Sequence, residues 1–459
     1  MFCLSLLNKI QDEIIFDKKS VSLSTDSRAY SCEDVFFCLY GENFDGFNFS
    51  EQVIKKGCKI IIYRSNAENN SLKESLNNKY SDVSFIGVVD PVISLQDLAR
   101  NRALQFKENG NLIIGITGSN GKTTTKEMLF SILKSVFSNK VYATKGNLNN
   151  HIGVPLTILS APVDCEILIV EMGSNHLGEI KTLSEIACPE AGIISSIGAA
   201  HIGLFGDIET IFKEKTSLLN YVVDNKSNRS VFVLNNEDQY LNRIEETSIV
   251  KKFGNNCEYT SNIKVNNSSL TKSNKLFEIK NQNIKEIYNL QNLISTFILS
   301  IELFPQYETE FLDAVNIFSM PKLNRSEWIE KKSKLIFLDA YNANPTSMRA
   351  SLNSFVENVK SKGLSLSDVH FVLGDMNELG DFTQTEHESI GQLLVKLGAK
   401  SASFVGNYSA YYKNSFKSGN VYSSRELLVD AWPTIYKEHR AFFIKASRSL
   451  QLESLIDIT

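Results

Sequence analysis

The 459-residue chain is short of most features that would place it in a special class. It holds only 8 prolines and 2 tryptophans and has no low-complexity segment or internal repeat. Apolar residues make up 42% and charged residues 22%, an ordinary globular balance that argues against a disordered or fibrous chain. No stretch approaches the ~20 consecutive apolar residues that cross a bilayer. The N-terminus MFCLSLLNKI lacks the basic segment and long apolar run of a secretory signal. Lys and Arg total 48 against 52 Asp and Glu, a net charge of −4. That excludes the basic excess of a nucleic-acid or membrane-surface binder. Seven cysteines, at 3, 32, 38, 58, 165, 188 and 257, include no C-x-x-C pair. Their odd count and absence of pairing fit neither a disulfide framework nor a thiolate zinc site. Several sit in apolar runs, as Cys165 does in DCEILIV, where cysteine acts as a small hydrophobe. The expectation is a cytoplasmic chain in a reducing compartment.

What is present is alternation of strands and helices over a length suited to about three domains. Residues 1–88 carry short β-rich runs, VFFCLY, KIIIYR and VSFIGVV, and read as a small α/β domain without a nucleotide loop. A helix is expected over 94–106, where Leu95, Leu98, Ala99, Ala103 and Phe106 recur at helical spacing, with Ser94 as its N-cap. The central region, 89–320, opens on the buried-type strand LIIGIT and continues through CEILIVEM and AGIISSIG, with helical stretches between, the pattern of a parallel sheet. Residues 225–290 read as the far edge of the same domain. From 321 to 459 the runs KLIFLDA, VHFVLGD, SASFVG and AFFIKA repeat the alternation as a second, Rossmann-like doubly wound unit.

The strongest local motif is GITGSNGKTTT, Gly115 to Thr125, between a strand and a helix. A glycine-rich loop before a helix aims backbone N–H groups at phosphate, and the helix dipole favours the negative charge. Gly118, Ser119, Asn120, Gly121, Lys122, Thr123 and Thr124 form the candidate cradle. Lys122 can reach the β- and γ-phosphates, and the Thr123 hydroxyl suits Mg²⁺. The loop is a variant, because the position of the usual first glycine is Ile116 and the glycine is Gly118.

Ligands of open parallel sheets bind beyond the carboxyl ends of the strands. One such end carries Glu171, a carboxylate placed to hold Mg²⁺, and another runs out to His201. The helical stretch 207–219 brings Lys213 and Lys215 toward the same edge. In the third region Asp339 ends a strand, and Asn342, Asn344 and Ser347 follow in a polar turn, although N-x-N-P is also an ordinary turn former. VLGDMNELGD puts Gly374 and Asp375 at another strand end. Arg325, near the boundary between the second and third regions, can reach phosphate across a cleft.

Taken in order, TGSNGKTTTKEML, TKGNLNNHIGVPLTIL, EMGSNHLGEI, SSIGAAHIGLFG, LNRSEW, DAYNANPTSM, LGDMNELG and KASRSLQLE resemble the Mur ligases over nearly the whole chain. The variant phosphate loop is that family's own form. YNANPTSM and LGDMNELG are similar to the branch that adds a dipeptide, and TDSR (25–28) with GENFDGFNF (41–49) resembles its uridine-nucleotide motif. The resemblance implies a cytoplasmic, monomeric enzyme of peptidoglycan synthesis with no nucleic-acid partner. It joins D-alanyl-D-alanine to UDP-MurNAc-tripeptide through an acyl phosphate, using ATP and Mg²⁺.

The resemblance also implies residue roles. Lys122 and Thr123 hold phosphates and one Mg²⁺, Glu171 and His201 serve the metals, and Lys215 is a carbamylated lysine binding Mg²⁺. Asn289 and Asn292 lie on the adenine side, and Arg325 and Asp339 grip phosphate and ribose. Ser27, Arg28, Asp45 and Gly46 belong to the uridine-substrate motif, Asn150 to the substrate near the γ-phosphate, and Asn344 and Ser347 to the dipeptide. Five positions depart from the family pattern: Tyr40 for a basic residue, Phe47 for His, His151 for Glu or Gln, Leu338 for Asp and Ala446 for Gly. The competing readings are another Mur or folylpolyglutamate-type ligase, and a P-loop ATPase that couples hydrolysis to movement.

Overall fold

Runs of β-branched and aliphatic residues become strands covered on both faces, as a parallel sheet requires. The structure is a computed structural model and describes residues 2–3, 20–321 and 324–458. Residues 4–10 of the N-terminal MFCLSLLNKI stretch, and Lys322 and Leu323 of the KLNRSEW motif, lie outside the described residues.

The first region holds a four-stranded parallel sheet in the order Leu23–Ser24, Val35–Phe37, Ile60–Arg64, Ser84–Val88. The helix that follows spans Pro91–Glu108 and starts before the expected Ser94. Asp90 is its N-cap, accepting from the Val92 and Ile93 amides at 2.7 and 3.3 Å. Pro91 fits the first turn because its missing N–H would find no partner there.

The central sheet has nine strands. Seven run parallel in the order Val141–Ala143, Ile167–Glu171, Leu112–Thr117, Ala191–Ile194, Val231–Asn235, Val250–Gly254, Tyr259–Asn262, and Ser268–Lys272 and Lys275–Ile279 close the edge antiparallel. The stretch 225–290 therefore supplies one side of this sheet. Leu112, Ile114 and Ile116 pack against Met128, Leu129 and Ile132 of the helix Lys122–Phe137 and against Leu293 and Phe297 of the helix Ile287–Leu303. Ile113 faces the other way, toward Leu95, Leu183 and Leu218 on three further helices. Gly115 lies on that second face, where a Cβ would come within 2.8 Å of the Leu218 side chain, so the helix Ile208–Asp224 seats directly on the strand.

The third region forms a six-stranded sheet in the order Glu327–Lys331, Lys334–Asp339, Ala441–Lys445, Val369–Gly374, Ser401–Val405, Asn420–Tyr422. Only its first pair is antiparallel. The fold is thus mixed α/β with parallel sheets, and its second and third units meet where their strands end. No helix among the described residues is long and apolar enough to cross a membrane.

The third unit carries two buried histidines. His370 lies between the Ser401 and Ser403 hydroxyls at 2.7 and 2.8 Å, and burial holds its pKa down to about 3. Burial likewise lowers His387 to about 4. In the unfolded chain both titrate near 6.5. Below that pH the unfolded state takes up protons that the fold refuses. The stability they contribute is therefore complete above about pH 6.5 and falls with acidification, by about 1.4 kcal/mol per pH unit for each histidine. Thermal unfolding of the full chain at pH 7 and pH 5 checks this. The melting temperature should drop at pH 5, and the drop should shrink in His370→Gln.

Candidate active site

The buried strand Leu112–Thr117 delivers the chain into the loop Gly118–Gly121, and the helix Lys122–Phe137 leaves it. Gly121 adopts φ +83°, and a Cβ there would meet Asn292 Nδ2 at 2.8 Å. Gly118 sits at φ +143° against Ser195. The loop is tied to the neighbouring strand end by Ser119, whose hydroxyl donates to the Gly198 carbonyl and accepts from the Gly198 amide, both at 2.9 Å. Lys122 curls back so that its Nζ donates to the Gly118 and Ser119 carbonyls at 2.6 and 3.3 Å. Burial lowers its pKa to about 8, and the charge of Arg325 acts in the same direction.

Glu171 ends the adjacent strand and is 1% exposed. Its Oε1 accepts from the Thr123 hydroxyl at 3.1 Å and from Asn149 Nδ2 at 2.8 Å. Its Oε2 is buried with no hydrogen-bond partner among the described residues. A buried carboxylate oxygen without a donor is costly unless a cation or ligand completes it. A carboxylate beside a hydroxyl and an amide forms a hard-oxygen set suited to Mg²⁺, which fills its remaining positions with water and phosphate oxygen. Among the described residues no three His, Cys, Asp or Glu side chains converge as a ready-made metal centre.

Lys215 projects from the helix Ile208–Asp224 to donate to the Ser174 hydroxyl at 2.7 Å and is 2% exposed. Burial is the main cause that lowers its pKa to about 7, and the nearby charge of Lys122 adds to it. A large share of this amine is therefore neutral near pH 7. Its neighbour Glu214 fixes the loop beyond Glu171 by accepting from the Gly178 and Ile180 amides at 2.6 and 2.7 Å.

The third unit closes over this edge. His201, at φ +58°, pairs through Nδ1 with Glu378, whose carbonyl accepts from the Gly203 amide at 3.0 Å. Thr346 Oγ1 accepts from the Ala199 amide at 3.0 Å, and Asn344 Nδ2 donates to Asn120 Oδ1 at 2.6 Å. Between the two units lies a cavity of about 1090 Å³. The strand ends of both sheets line it, along with Ser119, Asn120, Gly121, Lys122, Thr123 and Thr124. Glu171, His201, Asn289, Asn292, Arg325 and Asp339 line it as well. Asn150 and Ser347 also reach it. Arg325 stacks on Tyr341 at 3.7 Å from the ring centre. Asp339 accepts from Lys445 at 2.5 Å and from Ser351 at 3.1 Å.

The uridine-type residues are not part of this cavity's lining. Ser27 is buried, whereas Arg28 is exposed and bonded to Asp26 at 2.8 Å. Asp45 accepts from the Phe47 amide at 2.8 Å and from Asn69 Nδ2 at 3.0 Å. Gly46 lies where a Cβ would approach the Leu39 carbonyl to 2.8 Å. Two departures gain a structural account in this unit. Phe47 is fully buried and stacks on Tyr63 at 4.4 Å, and Tyr40 lies under Arg64 at 4.4 Å while donating to Asp90 at 3.0 Å.

Some site side chains serve the backbone as much as the cavity. Asn150 Oδ1 accepts from the Ile152 and Gly153 amides, and it is Asn149 that reaches Glu171. Asn344 caps the helix Pro345–Ser361 in a reciprocal bond with Ser347. Sequence reasoning passed over Asn149, Ser174 and Glu378. The N-N pair in NLNNHIG and the glutamate in GDMNELG were the only signals for two of them, and nothing marked Ser174.

Comparison with known proteins gives two family matches, the Mur ligase middle domain over residues 116–298 and the Mur ligase, glutamate ligase domain over residues 324–448. The UDP-N-acetylmuramoyl-tripeptide–D-alanyl-D-alanine ligase of Bacillus subtilis is 30% identical over 95% of this chain and 92% of its own length. That of Escherichia coli is 25% identical over 95% and 92%. A crystal structure of MurF from Acinetobacter baumannii superposes with a TM-score of 0.84, at 26% identity, covering 99% of this chain and 98% of that one. The Thermotoga maritima MurF ligase in complex with ADP, 24% identical, shares the fold with a TM-score of 0.77 over 96% and 97%.

Gly121→Ala tests the loop. An L-residue at this φ costs about 1–2 kcal/mol before its clash with Asn292 is counted. Relief of that strain shifts the loop and carries its amides off the phosphates, so calorimetric titration with ADP should show binding at least about tenfold weaker than in the parent chain.

Proposed function

The chain belongs to the Mur ligase family, and from that premise we propose that it joins D-alanyl-D-alanine to UDP-MurNAc-tripeptide at the expense of ATP, producing UDP-MurNAc-pentapeptide for peptidoglycan. The observation that carries this reading is the half-satisfied Glu171 beside the phosphate loop, in a cleft closed by the motifs YNANPTSM and GDMNELG. We assign residues 1–88 to the UDP-MurNAc-peptide, 89–320 to ATP and 321–459 to the incoming dipeptide and closure. A cytoplasmic monomer is part of the same proposal. A folylpolyglutamate-type ligase of the same fold would lack a use for the third-unit motifs, and a non-ligase ATPase would lack a use for the uridine-type motif.

In this reaction the tripeptide carboxylate attacks the γ-phosphorus, ADP leaves, and an acyl phosphate forms. The dipeptide amine then attacks the acyl carbon, loses a proton, and phosphate departs as the amide forms. Charge spreads over the phosphoryl oxygens, so positioned cations and N–H groups contribute most. The loop amides from Gly118 to Thr124 and Lys122 bind the phosphates, with Arg325 reaching them from the far side of the cleft. Asn289 and Asn292 take the base, and Asp339 the ribose. Thr123 and Glu171 would hold one Mg²⁺, which when bound supplies positive charge to the phosphate oxygens. Asn149 keeps Glu171 oriented. Asn150, Asn344 and Ser347 shape the acceptor side, while Ser27, Arg28, Asp45 and Gly46 form the uridine-substrate motif.

Lys215 enters as a carbamate. Addition of CO₂ to the neutral amine forms an N–C bond, releases one proton and leaves an anion in place of a neutral group, and burial favours the neutral amine. The carbamate and His201 would hold a second Mg²⁺. Lys215→Ala should abolish ligation, and a small carboxylate should restore part of it. Retention of full activity in that variant removes Lys215 from the mechanism. Phosphate release from ATP and Mg²⁺ should require both UDP-MurNAc-tripeptide and D-alanyl-D-alanine, with the pentapeptide product seen by mass. Release without either substrate, or joining of single amino acids only, overturns the assignment.

A further inference from the structure

Glu286 stands at the N-terminal boundary of the helix Ile287–Leu303, where a carboxylate usually accepts the free N–H groups of the first turn. Its side chain makes no such cap. One oxygen accepts from Trp328 Nε1 at 2.5 Å, reaching across to the first strand of the third unit, Glu327–Lys331. The other accepts from Asn289 Nδ2 at 3.2 Å. Glu286 is 2% exposed, and burial pushes its carboxyl pKa up against the two donated bonds that favour the anion.

This arrangement orients the Asn289 amide. An ionised carboxylate accepts and cannot donate, so the NH₂ of Asn289 must face Glu286. Its Oδ1 accepts from no described residue and is the amide atom left for the cavity that Asn289 lines. At position 6 adenine carries an amino donor where guanine carries a carbonyl acceptor. We propose that Glu286 is a positioning residue for base selection: by fixing the Asn289 amide it presents an acceptor to the nucleotide base and so favours adenine over guanine. This rests on the reading that Asn289 faces the base.

Trp328 makes the proposal testable, because an indole only donates. In Glu286→Gln the new Oε1 must turn to Trp328, which leaves Nε2 facing Asn289. Asn289 then accepts through Oδ1 and turns its NH₂ toward the base, a donor suited to guanine. Calorimetric titration of the full chain with ADP and with GDP, each with Mg²⁺, reads the preference without any ligation. Failure of the ligase reading therefore does not disturb the result.

The ADP-over-GDP preference should fall at least about tenfold in Glu286→Gln, because a site built around a specific hydrogen bond discriminates steeply. Adding Trp328→Phe frees the glutamine to rotate and should restore part of the preference. Trp328→Phe alone leaves the carboxylate in place and should keep it, which serves if Glu286→Gln does not fold. In ligation assays the loss should appear in KM for ATP rather than in kcat. An unchanged ADP-to-GDP ratio in folded Glu286→Gln overturns the proposal, as does an equal loss of both nucleotides or loss of the preference in Trp328→Phe alone.

Discussion

A carboxylate with one oxygen held by Thr123 and Asn149, and the other buried without a partner among the described residues, creates a demand for positive charge that the surrounding chain is arranged around. Burying such an oxygen costs free energy until a cation arrives. The charge of Lys122 lies close enough to act on Lys215, and burial lowers the pKa of both amines. Glu171 thus keeps one oxygen short of a donor among the described residues, and burial disfavours the charge on both amines. Under the proposed function, an anionic nucleotide with its metal would resolve both deficits together.

The second constraint is closure. The two sheets meet at the carboxyl ends of their parallel strands, and glycines stand at the tightest contacts between the units. A Cβ on Gly203 would lie 2.4 Å from the Gly380 amide, and one on Gly198 would lie 2.6 Å from Thr346 Oγ1. Glycine at these positions lets backbone approach backbone, so that Asn344 reaches Asn120 of the phosphate loop and Glu378 reaches His201. The phosphate loop is therefore bonded directly to the third unit, and the helix cap at Asn344 serves as one end of that bond. The pair Glu286–Trp328 makes a separate link on the base side of the cleft.

Much of this was legible in the chain because strand-forming runs and glycine turns are local. LIIGIT, ILIVE and AGII are buried strands, and G-K-T after Gly118 marks the loop without any tertiary information. The structure adds to or departs from that reading where residues close in sequence can each do the same task. Asp90 rather than Ser94 starts the long helix, because Pro91 can follow a cap and so extends the first turn. In NLNNHIG, Asn149 orients Glu171, and Asn150 accepts from the Ile152 and Gly153 amides of the following turn. Adjacent residues point in different directions, and only the folded backbone says which one faces the strand.

Chain order alone determined that there is a phosphate loop, that carboxylate, histidine and lysine follow it at strand and helix ends, and that the whole resembles a Mur ligase. Those features depend on residue type and short spacing, which the backbone translates directly into geometry. Folding decided the partners that cross long distances in sequence: Ser174 for Lys215, Glu378 for His201, Lys445 for Asp339 and Trp328 for Glu286. Each of those pairs joins elements brought together by sheet order and domain closure. A hydrogen bond or close ion pair depends on sub-ångström placement of two side chains, and no local pattern in the sequence encodes that placement.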